Sequence, residues 1–238
     1  MKPLIKILTF ILGCMCLTTQ ATECVITLHG MGRTSSSMKT LVKNLQKENY
    51  LVYNIDYPSR KQTIQELSET VVKQGMDYCA QQQAEHIYII THSLGGLLVR
   101  YYFSIHSPEK LTRVVMLGPP NKGSQVADNL QSWDFFKSIN GPAGQQLSTS
   151  AESFVNQLPA ANFDVGIIAG TKTFNPFLSL MLPNPDDGKV TLENTKVDGM
   201  KDFIALPVTH TFMMKNKKVI KQVIHFLQNG QFDHEVNS

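Results

Sequence analysis

Ser93 lies in Thr91-His92-Ser93-Leu94-Gly95-Gly96, the stretch of this sequence best suited to chemistry. A serine hydroxyl becomes a useful nucleophile only when a base takes its proton and a carboxylate holds that base in the right tautomer. A sharp turn between a strand and a helix presents such a serine well. The surroundings have this form. The apolar run His86-Ile87-Tyr88-Ile89-Ile90 leads in, and Leu94-Gly95-Gly96-Leu97-Leu98-Val99-Arg100-Tyr101-Tyr102-Phe103 reads as a helix leading out. In so tight a turn the residues two before and two after the serine face each other, so bulk there would clash. Gly95 meets that need; Thr91 stands opposite, where a β-branched residue ends a strand comfortably. Alone, the hexapeptide also fits an ordinary strand-to-helix junction with a serine N-cap.

The base and the acid must come from elsewhere. Downstream of Ser93 the histidines are His106, His210, His225 and His234. His210 follows a short apolar strand in Ile204-Ala205-Leu206-Pro207-Val208-Thr209-His210 and so stands on a loop, the right address for a base. His225 has the spacing of a half-buried helix residue, His234 lies in a polar tail, and His106 closes the helix after Ser93, where it can cap terminal carbonyls. For the acid, Asp186-Asp187-Gly188-Lys189-Val190 places two carboxylates before a turn glycine. Asp187 is favoured, with Asp186 its alternate; Asp198 and Asp202 are rivals by position. An Asp-Gly pair is also what a plain turn contains.

A second loop supplies electrophilic help. Cys24-Val25-Ile26-Thr27-Leu28 reads as a buried strand running into His29-Gly30-Met31-Gly32-Arg33. Acyl transfer puts negative charge on a former carbonyl oxygen, and losing one preorganised N–H donor to it typically costs roughly 3 kcal/mol of barrier. Glycines let a backbone turn with its N–H groups bare.

Together these segments resemble the α/β-hydrolase superfamily, and within it the small, cap-poor bacterial lipases and esterases, over about residues 23–232. Residues 29–33 look like the oxyanion loop, with Gly30 supporting it and His29 bracing it. Residues 91–96 look like the nucleophile turn. Leu117-Gly118-Pro119-Pro120-Asn121-Lys122-Gly123-Ser124 is similar to the lipase segment after the next strand, from which Pro120 and Asn121 depart. The resemblance implies the chain order Ser93, Asp187, His210. It also implies that the amides of Met31 and Leu94 form the oxyanion hole. The expected fold is a single α/β-hydrolase domain, a mostly parallel sheet of about six strands with helices on both faces. The expected activity is hydrolysis of carboxylic esters through an acyl-enzyme, with an ester or lipid small molecule as substrate and no cofactor. An acyltransferase, or an amidase or thioesterase, would use the same residues; a non-catalytic exported binding module would need none of them.

Composition agrees. With 238 residues and 42% hydrophobic content, one domain is expected. The net charge of +3 gives no basis for a nucleic-acid partner. Clusters such as Arg60-Lys61 and Lys215-Asn216-Lys217-Lys218 read as solvated faces, with transient contact to a membrane surface as the alternative. No metal-binding spacing stands out.

Residues 1–21 read as a signal peptide: Lys2 and Lys6 precede an apolar core, and Thr19-Gln20-Ala21 offers a cleavage site. Export to the periplasm or medium is therefore expected for residues 22–238, with an uncleaved or lipidated anchor as the alternative. Two cysteines then remain, Cys24 and Cys79. In the α/β-hydrolase arrangement they lie together at the bottom edge of neighbouring strands, and an oxidising compartment favours their disulfide. The alternating strand and helix patterns break only over 124–163, which holds Trp133 and reads either as a small lid over the site or as an irregular connection. Residues 175–183 form a second apolar loop near the same place.

Overall fold

In this computed structural model, which describes residues 22–130, 141–173 and 185–235, the strands of one sheet are β1 (Glu23–Leu28), β2 (Leu51–Ile55), β3 (His86–His92), β4 (Leu111–Leu117), β5 (Val165–Gly170) and β6 (Asp202–Leu206). Their order is β2-β1-β3-β4-β5-β6, and every neighbouring pair is parallel. The sheet is built on strands whose central members are buried on both faces, as in β1, β3 and β5, with less buried strands at its edges. The order reverses direction between β1 and β3, and open parallel sheets bind ligands outside the carboxyl ends of strands at such a point.

Alternation along each strand divides the core. Ile26, Leu28, Ile89 and Met116 face one side, with Leu67, Leu94, Leu97 and Leu98 packed on them. Val25, Ile90, Val115 and Ile168 face the other, covered by Leu41, Leu45, Val223 and Phe226. The covering helices on the first side are α2 (Ile64–Leu67), α3 (Lys73–Gln81) and α4 (Leu94–Ile105); on the second, α1 (Lys39–Lys47) and a C-terminal helix Lys217–Asn229. Three short helices, α5 (Gln125–Leu130), α6 (Phe154–Gln157) and α7 (Leu192–Thr195), lie in the connections, which makes the C-terminal helix α8.

Local chemistry sets several ends. Thr63 and Glu66 form a reciprocal capping box at the start of α2. The Asn216 side chain accepts from the amides of Lys218 and Val219 to open α8, and Gly230 closes it in the left-handed conformation. Between α2 and α3 the helix passes through a π-helical turn at Ser68–Val72, where the Ser68 hydroxyl donates to the Ile64 carbonyl. Sequence periodicity does not register one extra residue in a turn.

Cys24 and Cys79 form a disulfide with Cα atoms 5.7 Å apart. It joins the start of β1 to α3, at the edge of the sheet opposite the candidate site. The described parts of 124–163 are tied down. The Ser124 amide donates to Leu147 O, the Ala143 amide to Gln62 O, and the Ile64 amide to the Gln146 side chain. Arg100 in α4 donates to the carbonyls of Leu158 and Pro159. Trp133 and its apolar neighbours in 131–140 lie outside the described residues, as do 174–184 and 1–21.

Candidate active site

Strand register brings the chemistry to one edge. Leu28 of β1 pairs with Thr91 of β3, and His92 pairs with Leu117 of β4, so the segments after these strands emerge side by side. Gly170 ends β5 beside Leu206 at the end of β6, which sends the loops that carry Asp187 and His210 to the same edge.

Ser93 turns the chain from β3 into α4 with φ +52° and ψ −120°. A non-glycine residue held there costs of order 1–3 kcal/mol and persists only where its surroundings impose it. Here they do: the Ser93 amide donates to Leu117 O at 2.9 Å. The hydroxyl makes no capping bond to its own helix, so the ordinary N-cap reading does not apply. A Cβ on Gly95 would stand 3.2 Å from Thr91 Cβ and 3.0 Å from Leu28 Cβ. Thr91 is therefore accommodated because Gly95 yields the space.

Asp187 and His210 meet. The Asp187 carboxylate accepts from the Lys189 and Val190 amides through Oδ1, at 3.0 and 2.9 Å, and from His210 Nδ1 through Oδ2 at 2.7 Å. A carboxylate oxygen only accepts, so Nδ1 carries the ring hydrogen and Nε2 is left bare. The His210 amide also donates to Asp187 O at 3.0 Å. Both side chains are buried. The neighbouring carboxylates are occupied elsewhere: Asp186 accepts from the Gly188 amide, and Asp202 from the Phe232 amide and His234. His106 pairs with Glu69, and only its backbone amide bonds the helix end. His225 is half-buried on α8.

Space for the pair comes from two glycines. A Cβ on Gly118, whose φ is +54°, would stand 3.0 Å from Asp187 Oδ2 and 3.1 Å from His210 Nδ1. One on Gly170 would stand 2.8 Å from Asp187 Cβ and 2.4 Å from Val208 O. Neither requirement is visible in the local sequence.

The loop after β1 abuts the serine turn: a Cβ on Gly30 would lie 3.1 Å from Ser93 Cβ and 2.7 Å from His92 Nδ1. Leu94 begins α4, so its amide is one of the four that a helix start leaves unpaired. His29 is fixed by its neighbours. Its Nδ1 donates to Gly30 O, its Nε2 accepts from the Tyr57 amide, the Tyr57 hydroxyl donates to its carbonyl, and the two rings stack at 4.0 Å. Burial lowers its pKa, against weaker opposing effects of the Gly30 carbonyl and Asp56. These contacts hold His29 against Gly30 and Tyr57.

His92 has a function that sequence reasoning missed. Its Nε2 donates to the His210 carbonyl at 2.9 Å and so anchors the loop that carries His210 to the serine turn. Burial first, and the adjacent His210 second, hold its pKa well below the ordinary value, so it stays neutral. Asn121, one of the two departures from the lipase pattern, receives Arg100 and donates to Thr195 O. Pro120, the other, lines the cavity.

That cavity holds about 250 Å³ and is bordered by Ser93, His210, Gly30 and Met31. Val126, Ala127, Leu147 and Val190 make much of its wall apolar. Among the described residues no cluster of three or more His, Cys, Asp or Glu side chains is placed to hold a metal ion. No helix among them is long and apolar enough to cross a membrane.

A parallel sheet with a strained serine turn and a hydrogen-bonded Asp-His pair at its carboxyl edge defines an α/β-hydrolase. Residues 24–163, more than half of the chain, match the family model of palmitoyl protein thioesterase, and the chain belongs to that family. A curated Mycoplasma pneumoniae protein named for esterase/lipase activity is 24% identical over 173 residues, 71% of this chain and 63% of that protein. This chain thus matches less than two thirds of that relative's length. The mature Bacillus licheniformis lipase BlEst2 superposes with a TM-score of 0.69 at 18% identity, over 88% of this chain and 92% of that one. The Pyrococcus furiosus esterase Pf2001 does so at 0.63 and 18%, over 87% and 82%. These two likenesses establish the fold.

Proposed function

We propose that this chain is a serine hydrolase that cleaves carboxylic esters, with Ser93 as nucleophile, His210 as base and Asp187 as the residue that orients it. The observation that carries this reading is the 2.7 Å bond from His210 Nδ1 to Asp187, made beside a cavity that Ser93 and His210 both line. Nε2 takes the hydroxyl proton as Oγ attacks the ester carbonyl. The amides of Met31 and Leu94 receive the developing oxyanion. His210 then returns its proton to the leaving alcohol, water enters by the same route, and the acid is released. The apolar wall suits a hydrophobic acyl group.

A second reading, cleavage of thioesters, is favoured by the family match. The same groups serve, because only the leaving atom changes. The disulfide supports the expected export, since such bonds persist in oxidising compartments. The test uses p-nitrophenyl esters from acetate to palmitate beside an acyl thioester series, with Ser93→Ala as control. Turnover that vanishes in the variant, with a fluorophosphonate adduct on Ser93, supports the assignment, and the ratio of the two series chooses between ester and thioester. A variant as active as the parent would exclude Ser93 as nucleophile.

A further inference from the structure

Two cations stand at the opening of the cavity that holds Ser93. Arg33 and Lys189 both line it and both are exposed, while among the described residues no aspartate or glutamate lines it with them. Neither side chain has an ion-pair partner among the described residues. The remaining wall is largely apolar, so the opening carries unbalanced positive charge above a hydrophobic interior.

The same hydrogen bonds that arrange the chemistry fix both positions. The Arg33 amide donates to Gly30 O at 3.2 Å, and the Gly32 amide to Ser59 Oγ at 3.0 Å, which sets the loop expected to receive the oxyanion. The Lys189 amide donates to Asp187 Oδ1 at 3.0 Å, and its carbonyl accepts from Ser124 Oγ at 2.8 Å. Each cation is thus carried by a loop that also serves Ser93. Their charges oppose each other: although its side chain reaches water, the surrounding protein partly desolvates the Lys189 ammonium and, with the Arg33 guanidinium second, lowers its pKa, and Asp187 behind it offsets this only in part. An anion at the opening would relieve that repulsion, and would sit on the leaving-group side of an ester whose acyl chain occupies the apolar wall.

We propose that the substrate is an acyl ester whose alcohol portion carries an oxoanion, a phosphate or carboxylate, held by Arg33 and Lys189 while Ser93 attacks the carbonyl. This inference rests on the serine-hydrolase reading, and its test separates the two. Binding is measured calorimetrically on the Ser93→Ala protein with hexanoyl glycerol 3-phosphate, hexanoyl glycerate, neutral monohexanoylglycerol and inorganic phosphate. Two contacts at a solvent-exposed rim are each modest, so an anionic ester is expected to bind about tenfold more tightly than the neutral one at low salt. The advantage shrinks in high salt as screening takes hold. Adding Arg33→Gln and Lys189→Gln together removes it, and either alone removes about threefold. The ratio of kcat/KM for anionic over neutral esters, measured on the parent, falls in parallel.

Equal affinities for the charged and neutral esters, or a preference that survives the double substitution, overturn the proposal. Inorganic phosphate binding as tightly as the phosphorylated ester also overturns it, because the site would then hold a free anion and not part of a substrate. If the parent hydrolyses neutral esters with no anionic preference, this inference fails and the hydrolase reading stands. If no ester is turned over while the phosphorylated ester still binds tightly, the reverse holds.

Discussion

Asp187→Asn separates orientation of the base from mere packing around it. Asp187 uses its oxygens differently: Oδ1 accepts two backbone amides, from Lys189 and Val190, and Oδ2 accepts His210 Nδ1. Asparagine has the same shape, but one of its terminal atoms only donates. The two amides can be satisfied only by the oxygen, because the reversed placement leaves buried donors unpaired at roughly 1–3 kcal/mol each. The amide nitrogen must then face His210 Nδ1. Two donors cannot share a bond, so the ring shifts its hydrogen to Nε2, the atom proposed to receive the Ser93 proton. Loss of the correct tautomer in a Ser-His-Asp hydrolase costs about 10⁴ in kcat, which is about 5 kcal/mol of barrier. The assay is hydrolysis of the best p-nitrophenyl ester, with circular dichroism to confirm folding. Asp186→Asn is the control, since Asp186 receives the Gly188 amide; it should stay within about tenfold of the parent, the disturbance of one turn bond being about 1 kcal/mol. An Asp187→Asn rate within about tenfold of the parent, with Ser93→Ala inactive, would refute the tautomer argument.

Further expectations concern the scaffold. Gly118→Ala brings a methyl group to 3.0 Å from Asp187 Oδ2 at a φ of +54°, so kcat should fall tenfold or more with about 1–2 kcal/mol lost in stability; an unaltered kcat would show that the pair tolerates displacement. Replacing Cys24 and Cys79 by alanine opens a closure spanning 55 residues and should cost about 4 kcal/mol in chemical denaturation, with a loss under about 1 kcal/mol counting against the loop-entropy account. His29 and His92 are buried with pKa values lowered from 6.5, so the unfolded chain binds protons there that the folded chain does not. Stability should be full above about pH 6.5 and decline below it, by up to about 1.4 kcal/mol per pH unit for each histidine. Urea midpoints at pH 7.5 and 5.5 check the sign, and His92→Asn should flatten the slope.

Much of this architecture was legible because its signals are local. β1 covers the apolar run Cys24–Leu28, β3 the run from His86 to Ile90, and α4 the helical pattern that follows Ser93. The serine turn was legible from a strand, Gly95 and a helix, all within residues 86–103. The π-helical turn at Ser68–Val72 was not, because it depends on how one helix settles between α4 and the sheet. The departures at Pro120 and Asn121 acquired meaning only when Arg100, Thr195 and the cavity came beside them.

The chain by itself determined the alternation of strands and helices, the serine turn, the glycine loop after β1 and a short set of acids and bases, because periodicity and turn chemistry are written in neighbouring residues. Tertiary structure alone decided which carboxylate serves His210. Asp186 and Asp187 are adjacent and chemically identical, and only the turn bonds from Gly188, Lys189 and Val190 aim one at the ring and the other away. It likewise decided that Gly118 and Gly170 make room for the pair, that His92 anchors the loop that carries His210, and that Arg33 and Lys189 share one opening. Each of these depends on strand register between segments far apart in the chain, and contact distances set by register have no counterpart in local sequence.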